Sequence, residues 1–163
     1  MRKIKQSHIH LFGVILAGWF IITGLTGCTS LRPLPEVDLS DPGWTLWNGQ
    51  AVWKPHSDRP ALAGDLIAAR HTNNDILVCF AKPPLPIFTA QVAGELWKID
   101  FLEQEHSYTG RGRPPQRFIW FRLPDLLSGA AAPPDWEVQT AADGQWAIVN
   151  QRTGESIRVV LDQ

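Results

Sequence analysis

The sequence predicts a mainly β domain, an antiparallel meander forming a curved, incompletely closed barrel covered by a short helix. Three observations predict it. From Trp44 onward, short apolar runs alternate with turn residues. The connections between those runs are shorter than the dozen or so residues that a parallel crossover needs. A single later segment, Pro115 to Ser128, combines an apolar stripe with helix start and stop signals.

The chain begins differently. Arg2, Lys3 and Lys5 form a basic start, and Leu11 to Ile22 is an uncharged apolar core. Such a core is shorter than the roughly 20 residues of a membrane span, but it suits the apolar region of a secretory signal peptide. Leu25-Thr26-Gly27-Cys28 follows and resembles the lipobox of bacterial lipoproteins. That resemblance implies cleavage after residue 27 and a covalent lipid on Cys28. Removing 27 of the 163 residues leaves 136, enough for one domain that buries about two-thirds of its unfolded surface. Three of the 15 Lys and Arg residues go with the leader, so the mature chain carries 12 basic against 16 acidic residues, a formal charge of −4. That balance excludes a basic nucleic-acid binder on bulk charge. Residues 28–43 hold three prolines without periodicity and read as a tether of roughly 20–25 Å root-mean-square reach. The domain proper is expected over residues 44–163.

Trp44 to Lys54 opens the domain as a strand. Leu62 to His71 and Asp75 to Lys82 flank Thr72-Asn73-Asn74, a hairpin turn; Ile87 to Ala93 and Glu95 to Leu102 flank Gly94. Trp97, Ile99 and Phe101 alternate with Lys98 and Asp100, and Phe88, Ala90 and Val92 alternate with Thr89 and Gln91, so each of these strands has one apolar side. Ile76 to Phe80 is apolar on both sides and reads as a central strand covered twice. The helical candidate begins at Pro115 and stops at Gly129. Pro124 divides it into two short pieces, with Phe118, Trp120, Phe121, Leu123, Leu126 and Leu127 facing the sheet. A strand over Phe118 to Leu123 is the competing reading. Trp136 to Thr140, Gln145 to Asn150 and Ser156 to Leu161 complete a meander of about seven or eight strands.

A lipobox, a tether, an antiparallel meander and a late Pro-bounded helix together resemble the LolB-like outer-membrane lipoprotein receptor family. The closest stretch is Ile76 to Pro86, where the family has a strand running into a loop with a Pro-Leu-Gly-like core whose Leu enters the membrane. Pro84-Leu85 matches that pair, and Pro86 stands where the family has glycine. Pro114 to Pro133 is a second match, a Pro-led helix ending in Leu-Leu-Ser-Gly. The chain is shorter than a typical member, and Trp97 to Arg113 reads as too short for the family's extra strand and helix. The resemblance implies an outer-membrane lipoprotein that faces the periplasm, and the chain is expected to be a monomer. It would take lipoprotein acyl chains from a LolA-like carrier and insert them among outer-membrane phospholipids. Thr29, where an Asp favours inner-membrane retention, is compatible with that sorting.

The residues support lipid handling on physical grounds as well. An apolar cavity buries acyl chain at about 0.8 kcal/mol per CH₂, and aromatic rings make wide walls with few rotamers. Trp53, Phe88, Trp97, Ile99, Phe101, Trp120 and Trp146 are the expected cavity residues; the alternative is that such rings fill the core. Leu85, fixed among Pro83, Pro84 and Pro86, is expected to protrude as a membrane-insertion residue, or else to fold back under its loop. Arg111, Arg113 and Arg117, with Arg122, are candidates for headgroup or partner contacts, or a solvated face. Cys79 reads as a small core hydrophobe rather than a nucleophile. His56, His71 and His106 lack metal-ligand spacing, and no Gly-x-Ser-x-Gly elbow occurs, so neither an enzyme, a metal site nor a cofactor beyond the lipid is expected. The rival function is an envelope scaffold or accessory lipoprotein of the same fold without lipid transfer.

Overall fold

The computed structural model describes residues 33–102, 105–141 and 144–162. The expected signal peptide and lipidated Cys28 lie outside the described residues. Nine strands make one sheet: β1 (Trp44–Lys54), β2 (Leu62–His71), β3 (Ile76–Lys82), β4 (Leu85–Ala93), β5 (Leu96–Phe101), β6 (His106–Arg111), β7 (Trp136–Thr140), β8 (Gln145–Asn150) and β9 (Ser156–Leu161). Their order across the sheet is β6-β5-β4-β3-β2-β1-β9-β8-β7. Every neighbouring pair is antiparallel, and β9 returns to lie beside β1. The edges β6 and β7 are not joined, so the sheet does not close. Among the described residues no helix is long and apolar enough to cross a membrane.

The strand count exceeds the expected seven or eight because β6 occupies the stretch that reads as too short for an extra strand. His-Ser-Tyr-Thr-Gly-Arg has no apolar stripe and is exposed along almost its whole length. As an edge strand it needs only one backbone ladder, here with β5 from Leu96↔Arg111 to Phe101↔His106. Gly110 is required there, because a Cβ at that position would sit 2.3 Å from the Trp97 indole lying across it. No apolar periodicity is needed for such a strand, so none is present to read.

Helical cover comes from a 3₁₀ turn, Ile119–Arg122, that runs into a short helix, α1 (Leu123–Leu127). Pro124 sits in the first turn of α1, where its missing N–H costs nothing, and so marks the division between the two pieces. Gly129 ends the helix at φ 87°, a left-handed conformation that suits glycine. The competing strand over Phe118 to Leu123 does not form. Trp120, Phe121, Leu123, Leu126 and Leu127 are buried as expected, joined by Ile119, while Phe118 is half-buried.

The apolar character of β3 on both sides has a second explanation at the outer face. Ala69, Leu77 and Gln91 form one row across β2, β3 and β4 on the side away from the helix. The Gln91 Nε2–H donates to the Pro35 carbonyl at 2.8 Å, which holds part of the expected tether against that row. Residues 38–44 then turn in through backbone bonds from Asp41 N–H to Asp38 and from Trp44 N–H to Asp41.

Candidate functional site

The hairpin between β3 and β4 turns on Pro83-Pro84, which are joined by a cis peptide bond, with Lys82 paired to Leu85. Neither proline can donate to a ladder, so the turn is left to its side chains. A register shift between Phe80 and Ala81 twists the hairpin just before this tip. Leu85 is 69% exposed, more than any other large hydrophobic residue among those described. It protrudes rather than folding back.

Behind the tip lies a block of rings. Trp53, Phe80, Phe88, Phe101 and Trp120 contact one another with centroids between 4.4 Å (Phe88–Trp120) and 6.4 Å (Trp53–Phe80). Phe88 is fully buried and Trp120 is 1% exposed. Four expected cavity residues, Trp53, Phe88, Phe101 and Trp120, therefore meet in one cluster and fill the space they share. Ile99 is fully buried beside them. Trp97 belongs elsewhere, edge-on to Phe121 at 5.8 Å. Trp146 lies on β8 opposite Val159 and Thr140, and among the described residues it joins none of these ring contacts. The indole N–H groups of Trp97 and Trp120 are buried without a partner.

One ionisable group is embedded at the same end. The Trp53 Nε1–H donates to Glu155 Oε1 at 3.0 Å. Burial pushes the Glu155 carboxyl up to about 7, against the lowering effect of that hydrogen bond. Sequence reading missed Glu155, whose partner is 102 positions away. The Arg152-Thr153 turn before it is held by the buried Asn150, whose Oδ1 accepts both backbone N–H groups at 3.0 Å.

The arginines separate at the opposite end of the sheet. Arg111 faces Glu95 at 4.0 Å, and Arg117 stacks over the rings of Phe118 (4.7 Å) and Tyr108 (5.5 Å). Asp125 takes Arg70 at 2.8 Å and Arg122 at 3.6 Å, tying α1 to β2. Arg113 has no acidic partner among the described residues and borders a cleft with Arg122. Burial also raises the Cys79 thiol, which accepts a long 3.9 Å contact from Thr89 Oγ1–H, as suits a packed rather than reactive cysteine. Among the described residues no group of three or more His, Cys, Asp or Glu side chains is placed to hold a metal ion. Compared with known proteins, the chain matches no family model and no curated protein.

Proposed function

We propose that the protein is a bacterial envelope lipoprotein, anchored through Cys28 to the outer membrane and facing the periplasm, that receives acyl chains and helps insert lipoproteins into that membrane. The reading follows the resemblance to LolB-like receptors. The observation that carries it is Leu85, 69% exposed on a turn stiffened by two prolines. An isolated exposed leucine needs no explanation, but one presented at the point of a hairpin gains about 1.5–3 kcal/mol on entering a bilayer. In this reading a LolA-like carrier delivers cargo, the domain acts as a monomer without catalysis, and Leu85 tilts delivery toward the phospholipid.

The packed rings favour a second reading. With Phe88 and Trp120 sealed against Trp53 and Phe80, the interior is filled by the protein's own side chains, as an envelope scaffold or accessory lipoprotein requires. Receiving an acyl chain under the helix would demand that the segment bearing Trp120 lift away. A fluorescent acyl probe separates the two, since saturable binding displaced by lipoprotein belongs to the receptor and no binding to the scaffold. For the receptor, Leu85→Glu should leave the fold intact and cut lipoprotein insertion into vesicles by roughly ten- to a hundredfold. Insertion at the wild-type rate by that variant would remove the assignment.

A further inference from the structure

We propose that the cleft bordered by Arg113 and Arg122 binds an anionic amphiphile, a single alkyl chain carrying a phosphate or carboxylate head. The proposal rests on the lipid-handling reading and moves its ligand from the ring block to the opposite end of the sheet. The cleft encloses about 470 Å³, within the range of small-molecule sites. Its floor is Ile76 and Val92 at the adjacent ends of β3 and β4, and its covering wall is Phe118 and Phe121. The ring block reaches the cleft only at its wall, where Phe118 meets Phe101 at 6.3 Å and Phe121 at 6.3 Å. Trp120 turns toward Trp53 and Phe88, whereas the loop closing this end is Pro114, Pro115 and Gln116, too small to fill the gap.

Charge selects the head. Arg113, Arg122 and Asp125 line the cleft, and Arg70 reaches the same carboxylate from β2. Asp125 is already committed to Arg70 at 2.8 Å and to Arg122 at 3.6 Å. Arg113 remains without an acidic partner among the described residues, at the rim of an apolar floor. A guanidinium matches phosphate or carboxylate through paired N–H donors. The lining selects the tail, because Ile76, Val92, Phe118 and Phe121 behind Arg113 offer a bare anion no side-chain hydrogen-bond donor, whereas an alkyl chain packs against them. An alkyl chain behind the head satisfies both parts of the site.

The test uses the full lipidated chain in phosphatidylcholine nanodiscs and a diazirine-bearing dodecyl phosphate. Photolabelling should map to Ile76, Val92, Phe118 or Phe121 and be competed by dodecyl phosphate or dodecanoate, but not by dodecyl maltoside or inorganic phosphate. Arg113→Glu, at an exposed position where folding should survive, should reduce labelling at least about tenfold, and Arg113→Lys should retain most of it. Equal competition by the maltoside, dominant competition by inorganic phosphate, or full labelling of Arg113→Glu would overturn the proposal. Vesicle insertion measured on the same preparation keeps the two readings apart. Labelling that maps to Phe88 or Phe101 with insertion intact would defeat the cleft and leave lipid handling standing. Loss of insertion in wild type would defeat the receptor itself.

Discussion

The two ends of the sheet are built from the same strands and covered by the same short helix, yet they are opposite in kind. At the Leu85 end, Trp53, Phe80, Phe88, Phe101 and Trp120 interlock, and a carboxylate is buried against an indole N–H. At the other end, the cover thins to Pro114-Pro115-Gln116, and arginines stand around a cleft. Adjacent residues make the difference, since Trp120 serves the first end and Phe121 the second. A domain of this size does not fill its whole sheet with rings. Where they interlock the space is filled, and where only Phe118 and Phe121 line one wall it keeps room and charge.

The strongest way to break the contrast is to remove the ring that seals the packed end. Trp120→Ala deletes a side chain that meets Trp53, Phe80 and Phe88, and should cost about 3–5 kcal/mol of stability. Part of the loss is offset because the indole N–H is buried without a partner. Urea denaturation should show the midpoint falling with little change in slope. The variant also tests the receptor reading, because a cavity opened at this end should raise the affinity for a fluorescent acyl probe. A variant that is destabilised but binds no probe would mark the ring block as structure alone.

How far the contrast could be read from the sequence follows from where its causes lie. Strands with period-two alternation, such as Trp97, Ile99 and Phe101 on β5, were legible, because burial on one face leaves a pattern. The break at Pro124 was legible too, since proline acts locally through its fixed φ and missing donor. The prolines around Leu85 left protrusion and folding back equally open, and only the fold shows it exposed. β6 was not legible, because an exposed edge strand needs no apolar face. Nor was the hold of Gln91 on Pro35, a bond between residues 56 positions apart. The cavity expectation named four of the five clustered rings, with Phe80 missed and Trp97 and Trp146 lying elsewhere, but composition does not say whether rings surround a space or fill it. Glu155 and the Arg113 cleft were invisible for the same reason: each depends on neighbours that only the folded sheet assembles.

The buried carboxylate gives a pH-dependent way to sharpen the contrast. Glu155 rises from 4.5 in the unfolded chain to about 7 in the fold. Below 4.5 both states hold the proton and burial of the charge costs nothing. Above about 7 both have lost it, and the folded state carries a desolvated charge. The group therefore lowers stability as pH rises through this interval, by on the order of 2–3 kcal/mol after allowance for its partial exposure. Glu155→Gln keeps an acceptor for the Trp53 N–H and removes the charge. Its stability should match wild type at pH 5 and exceed it by about 2 kcal/mol at pH 8, read from denaturation midpoints at both values. A difference that does not change with pH would mean that the packed end is wetter than its geometry implies.

The mildest change addresses the charged end. Asp125→Asn removes the negative charge shared by Arg70 and Arg122, leaves a single amide oxygen as acceptor and loosens both guanidinium groups. The ties are partly exposed, so the stability loss should be only about 1 kcal/mol, concentrated in the hold of α1 on β2. Backbone bonds from Ser128 and Ala130 to the α1 carbonyls of Pro124 and Asp125 persist, so the helix itself should survive. The same change leaves Arg70 and Arg122, like Arg113, without a counter-charge near the cleft. Competition by dodecyl phosphate for the photolabel should become several-fold stronger, while the neutral maltoside stays inactive. Stability and affinity would then move in opposite directions, as expected if Asp125 stabilises the cover by withholding two of the three arginines from the ligand. If both fell together, Asp125 would be shaping the cleft rather than neutralising it, and the selectivity of this end would have to come from Arg113 alone.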